Sequence, residues 1–173
     1  MRKVVKMGGL VYKTPFITNL NFEINSLEEV KQLKNTLTTQ EYDGLYQNLY
    51  EVELWDVLPW EYRRILCPIL NYDAKTYTLT MLCIPPLMDE VEAMKVAEDK
   101  CISKIVEIAG QLGATTTEID DFFHKLKILY NSTDLVIEDI LHNLSNIGYH
   151  PNFGLRVIDY GLSRELLEEE VNV

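Results

Sequence analysis

Positive charge is in short supply in this chain. Sixteen lysines and arginines stand against 27 aspartates and glutamates, giving a formal net charge of -11. Such a field repels phosphate backbones and excludes a nucleic-acid-coating role, although a local basic pocket for a nucleotide remains compatible with it. Cysteine is scarce too. Cys67, Cys83 and Cys101 are odd in number and form no Cys-x-x-Cys pair, which argues against a disulfide framework or a zinc site and for a reducing cytoplasm. Cys67 and Cys83 lie in apolar runs and read as buried thiols. His124, His142 and His150 show no metal-ligand spacing with the cysteines, and no Ser-His-Asp or Cys-His arrangement is apparent. No apolar run reaches membrane-spanning length, and the basic start, Met1 to Lys6, is followed by no long apolar stretch of the secretory type. Internal repeats and low-complexity segments are lacking. The expectation is a soluble intracellular protein with no nucleic-acid or membrane partner.

What is present suits one compact domain or two small lobes: 173 residues, 47% hydrophobic and 25% charged. Arg2 to Met7 and Leu10 to Thr14 read as strands around a Gly8-Gly9 turn. Ser26, followed three residues later by Glu29, marks a helix start. Leu45, Leu49, Val52 and Trp55 recur at helical spacing between Thr39 and Leu58, and Pro59 ends that helix or opens a short one through Tyr62 and Ile65. Pro68–Tyr72 and Lys75–Cys83 read as an antiparallel pair turning at Asp73-Ala74, with Tyr77, Leu79 and Met81 alternating against threonines. The prolines of Ile84-Pro85-Pro86-Leu87 break the pattern and place a boundary there, giving a sheet-rich first part, 1–83, and a helical second part, 84–173. In the second part a long helix is expected over Asp89–Leu112, stopped by Gly113. Another is expected from a Thr116 or Thr117 cap to about Tyr130. The acidic end, Glu165 and Glu168 to Glu170, reads as a frayed segment or a solvated helix. Trp55 and Trp60 read as packing residues.

A late hairpin carries the most chemistry. Pro151-Asn152-Phe153-Gly154 is a turn signal between two β-prone runs. A turn centred between Asn152 and Phe153 sets Gly148 opposite Val157 and Asn146 opposite Asp159. An amide oxygen and a carboxylate on one small volume suit magnesium, which takes hard oxygen donors and few protein ligands beside phosphates. The same spacing also fits a hairpin end that merely carries two polar residues.

These residues bear a resemblance. Ile158-Asp159-Tyr160-Gly161 resembles the Asp-Phe-Gly segment of protein kinases, with Tyr for Phe, and Asn146-Ile147-Gly148 resembles the end of their catalytic loop. Leu10–Lys13 resembles the strand bearing the phosphate-binding Lys, and Asn48–Trp55 the helix whose Glu pairs with it. Leu66–Asp73 and Tyr77–Met81 are similar to the fourth and fifth kinase strands. The order of segments matches, and short kinase-like proteins of bacteriophages and bacteria are the nearest in type. The resemblance implies an α+β, minimal protein-kinase-like fold with ATP and magnesium as cofactors. Lys13 would meet the α- and β-phosphates, held by Glu51 or by its competitor Glu53. Asp159 and Asn146 would hold metal, and backbone near Leu82, Cys83 and Ile84 would meet adenine.

Departures from the pattern shape the functional expectation. Only Gly8-Gly9 precedes Lys13 in place of a glycine-rich loop. The position five residues before Asn146, where a kinase has its catalytic Asp, is Leu141; Asp139 lies nearby, with His142 placed to order the loop. The resemblance runs out just after Gly161, so a counterpart of the activation segment or of a peptide platform is not expected within these 173 residues. The leading expectation is therefore a pseudokinase-like protein, viral in type and cytoplasmic in its host, that binds nucleotide, a host or viral protein, or both. An active small kinase using Asp139 as base, and a non-catalytic α+β interaction module, are the alternatives.

Overall fold

The computed structural model describes residues 2–171, with side chains through Glu168. It is an α+β structure in two compact units. The first takes in the chain up to Leu58, Pro68–Cys83 and the stretch from Leu166; the second takes in Pro59–Cys67 and Ile84–Glu165. Pro59–Cys67, read from sequence as part of the first portion, thus belongs with the second. Among the described residues no helix is long and apolar enough to cross a membrane.

The first unit is built on a four-stranded antiparallel sheet, β1 (Arg2–Met7), β2 (Leu10–Pro15), β3 (Ile69–Asp73) and β4 (Thr78–Leu82), in the order β1-β2-β4-β3. Gly8 and Gly9 have φ of 60° and 78°, the two positive values that a two-residue hairpin turn with the strands' own twist requires. On β4 the alternation is carried through: Leu79 and Met81 are buried while Thr78 and Thr80 are only half-buried. That strand starts later than the pattern predicts. Asp73 Oδ1 accepts from the Lys75 and Thr76 amides, forming an Asx-type turn, and Tyr77 takes φ 57°. The Tyr77 hydroxyl donates to the Phe22 carbonyl at 2.6 Å, an anchor for this strained residue.

Two helices complete this unit's core, α1 (Leu27–Gln32) and α2 (Thr39–Val57). Ser26 accepts from the Glu29 amide as its sequence position suggests. On α2 the buried stripe is Tyr42, Leu45, Tyr46, Leu49 and Leu54, while Val52 and Trp55 are only half-buried. Thr38 caps it reciprocally: its hydroxyl accepts from Glu41 N, and Glu41 accepts from Thr38 N at 3.0 Å. The Thr38 amide first, then its hydroxyl, then the Thr18 amide hold the Glu41 carboxyl down to about 2 from 4.5. We expect Thr38→Ala to cost about 1 kcal/mol of stability in urea melts at pH 7. Because the folded Glu41 pKa is depressed, the cap's charged contribution is complete above the ordinary glutamate range and is lost as pH falls toward 2. The gap between the two proteins should therefore narrow in melts at pH 3; an unchanged gap would remove Glu41 from the cap's energetics.

The second unit contains α3 (Trp60–Arg63), α4 (Glu90–Ala93), α5 (Cys101–Gln111), α6 (Thr116–Ser132), α7 (Ile137–His142) and the hairpin β5 (Ile147–His150) and β6 (Gly154–Val157); α8 (Arg164–Val171) follows. The single long helix expected over Asp89–Leu112 is in fact broken. After one turn of α4 the amides of Lys95 and Val96 bond back three residues, to Glu92 and Ala93, and Ala97 is extended (ψ 139°). Val91 and Met94 continue the apolar spacing of α5 and so suggest one helix, yet they are 65% and 79% exposed. The α6 cap is Thr115, one residue earlier than expected, and closes a capping box with Glu118. Trp60 is 71% exposed rather than packed. Cys83 is half-buried, while Cys67 and Cys101 are buried. The acidic end is helical in α8, with Leu166 buried; the side chains of Glu169 and Glu170 lie outside the described residues.

Candidate functional site

In the first unit, Lys13 on β2 and Glu51 on α2 form a two-pronged ion pair, with Nζ 2.8 and 3.0 Å from the two carboxylate oxygens. Lys13 is 3% exposed and Glu51 is fully buried. Glu53, the competing partner, is exposed. The choice follows from α2: Leu54, three residues on from Glu51, is buried, so Glu51 shares the inward face that Glu53 leaves.

Two further residues join this pair that pattern reading passed over. Asn48, fully buried, donates to the backbone carbonyls of Lys13 (2.8 Å) and Tyr77 (2.9 Å). Arg2 Nη1 donates to Asn48 Oδ1 (3.0 Å) and Glu51 Oε1 (2.9 Å). The signal was present in the spacing, since Asn48 and Glu51 stand three apart on a helix. A search for apolar periodicity reads such polar positions as gaps. At the end of β4, the Cys83 amide is already used on the Gly9 carbonyl at 2.9 Å. Its N–H is therefore committed, which limits what this position offers an adenine edge.

In the second unit, Asp139, Asn146 and Asp159 share one neighbourhood. The Asn146 amide donates to Asp139 Oδ2 (3.1 Å) and to its carbonyl (3.3 Å), and the Ile158 amide donates to the Asn146 carbonyl (2.8 Å). The hairpin register differs by one from expectation: Gly148 pairs with Arg156 and Ile147 with Val157. Gly154, at φ 72°, extends the loop to three residues after the His150–Phe153 turn, so Asn146 lies opposite Ile158 instead of Asp159. Asp139 does not sit in an irregular loop; it belongs to the short helix α7. The chain on either side of that helix explains the meeting. Leu135 bridges Ser163 in antiparallel fashion, the Val136 amide reaches the Leu162 carbonyl, and the Arg164 amide reaches the Asp134 carbonyl. Residues just after Asp159–Gly161 are thus tied to those just before α7.

Partial burial of its carboxyl, and then the charge of Asp159, push the Asp139 pKa up, even though much of the residue's surface is exposed. His142, at the end of α7, places Nδ1 2.9 Å from Glu98 Oε1. Tyr160 is nearly fully buried, and its hydroxyl donates to the Cys67 carbonyl at 2.9 Å, a bond that phenylalanine there could not make. Among the described residues no group of three or more His, Cys, Asp or Glu side chains forms a metal cluster. Two carboxylates and an amide oxygen are nonetheless a hard-oxygen set of the kind that suits magnesium shared with phosphates. No family model, curated protein or solved structure matches the chain.

Proposed function

We propose that this is a minimal kinase-like protein that binds ATP with magnesium through a degenerate phosphotransfer site and acts by nucleotide binding, protein binding or both. The buried Lys13–Glu51 pair is the observation that carries the reading, at 2.8 and 3.0 Å. A strand lysine gripped by a helix carboxylate holds an ammonium in a fixed position, which suits phosphate binding. Support of a second kind comes from Asp159 and Asn146, whose oxygens would hold magnesium; the metal would supply charge neutralisation of phosphate oxygens. The neighbourhood of Asp139 favours a second reading, active phosphotransfer. Its raised pKa brings the carboxyl nearer to the range of a working general base. A plain α+β interaction module is the reading that remains if nucleotide does not bind.

Thermal unfolding with millimolar ATP and magnesium tests the proposal. Ligand at about a hundredfold over its Kd adds about 2.7 kcal/mol, or a rise of roughly 5–10 °C for a chain of this size. The rise should disappear in Lys13→Met and in Asp159→Asn. No rise in the unsubstituted protein would sink the nucleotide reading in favour of the interaction module. Transfer of label from ATP, abolished by Asp139→Asn, would instead establish active phosphotransfer.

A further inference from the structure

We propose that Arg2 is a positioning residue for Lys13, and that it sets how strongly Lys13 attracts a polyphosphate; the inference rests on reading Lys13 as the phosphate-holding residue. Lys13 is held at both ends by α2. Asn48 bonds its backbone carbonyl at 2.8 Å, and Glu51 grips its ammonium at 2.8 and 3.0 Å. A single nitrogen of Arg2 reaches both holders, Asn48 Oδ1 at 3.0 Å and Glu51 Oε1 at 2.9 Å. The sheet register explains how. Val4 pairs with Lys13, and Arg2 lies two residues before Val4, so Arg2 and Lys13 are diagonal neighbours on one face of the sheet. The Arg2 side chain is only 5% exposed, so this is a built contact and not a surface encounter.

The sharing of one oxygen has an electrostatic result. Glu51 Oε1 accepts from both Arg2 and Lys13. A guanidinium stays charged at every relevant pH, so its share of the carboxylate is permanent. Arg2 draws on the same carboxylate oxygen that Lys13 uses. Lys13 therefore keeps more of its field for an anion than it would if Glu51 answered to it alone. Arg2 also couples the two holders, so that Asn48 and Glu51 cannot move independently of β1.

Isothermal titration of the full chain with ATP·Mg, with inorganic tripolyphosphate·Mg and with adenosine tests this at a temperature where every variant is folded by circular dichroism. Arg2→Gln should weaken both polyphosphates by about tenfold and leave adenosine unchanged. Arg2→Lys, which keeps the charge but cannot reach both holders equally well, should recover part of the loss. An Arg2→Gln protein that melts earlier yet binds polyphosphate as the unsubstituted chain does would overturn the inference and leave the proposed function standing. An equal loss for adenosine would also overturn it, by showing a general disturbance. If the unsubstituted chain binds neither polyphosphate, both fall together. Binding of tripolyphosphate but not ATP·Mg, still weakened in Arg2→Gln, would sink the nucleotide reading and keep the role of Arg2.

Discussion

Replacing Glu51 with alanine should destabilise the protein by about 3–5 kcal/mol. The carboxylate is fully buried and is the acceptor for both the Lys13 ammonium and the Arg2 guanidinium. Bringing three charged groups out of water is unfavourable, and their mutual attraction offsets that cost only while all are present. Removing the shared anion leaves two cations, each about 95% out of solvent or more, facing one another. Lys13→Met should cost less, because Glu51 then retains Arg2. Adding Glu51→Ala to Lys13→Met should cost less than the separate effects predict, since with Lys13 gone the loss of the carboxylate affects one buried cation instead of two. Urea unfolding at neutral pH measures all four corners of the cycle. A cost below about 1 kcal/mol for Glu51→Ala would mean that the cations reach water without it.

Gly148→Ala should cost roughly 3 kcal/mol, the upper part of the usual range for forcing atoms into filled space. A Cβ at Gly148 would stand 2.6 Å from the Pro85 carbonyl oxygen, 2.8 Å from Ile84 Cγ2 and 3.1 Å from Ile158 Cγ2. The isoleucine methyls can turn aside, but the carbonyl cannot retreat freely. Pro85 O accepts from the Tyr149 amide at 3.2 Å, Leu87 N bonds the Ile147 carbonyl at 2.8 Å, and Pro86 bridges Gly148. The Pro85–Leu87 segment is thus laced along β5, and an added methyl group must part the lacing. Gly110→Ala serves as the contrast. Gly110 lies in α5 with nothing within 4 Å of an added Cβ, so the change should stabilise by about 0.5–1 kcal/mol. Hydrogen exchange at the Tyr149 and Leu87 amides should quicken in Gly148→Ala and not in Gly110→Ala. Equal stabilities for the two variants would mean that the segment gives way easily.

The strands of the first unit were legible because each local signal agreed with its neighbours. The Gly8-Gly9 turn, the Thr–Leu–Thr–Met alternation of β4 and the Ser26 cap of α1 all state the same arrangement. The partner of Lys13 was legible only as far as a choice of two, since separating Glu51 from Glu53 needs the rotation of α2 about its axis. Arg2 and Asn48 were invisible to hydrophobic periodicity, being polar residues that face inward. In the second unit, the hairpin register was lost by one residue through the left-handed Gly154, a conformation that the turn signal alone does not announce. The helix break at Ala97 was hidden by exposed Val91 and Met94, whose apolar side chains mimic a buried stripe. Asp139, Asn146 and Asp159 were singled out by residue type and chain order. What unites them is the pairing of 134–136 with 162–164, which has no local sequence mark.

The pinning of Ile65–Cys67 to the far end of the second unit has a consequence during synthesis. Val157 N reaches the Ile65 carbonyl, Cys67 N reaches the Val157 carbonyl, Arg156 reaches the Leu66 carbonyl and Tyr160 the Cys67 carbonyl. These contacts span separations of 90 and 93 residues for the two side-chain bonds. On the ribosome the early segment emerges long before its partners and must wait, its backbone groups solvated, until the end of the hairpin has cleared the exit tunnel. Closure of such a long loop is slow by entropy alone. The second unit can therefore be completed only after Tyr160 has emerged, and a transcript cut short before Tyr160 yields a chain whose Leu66 and Cys67 remain without their finishing strand.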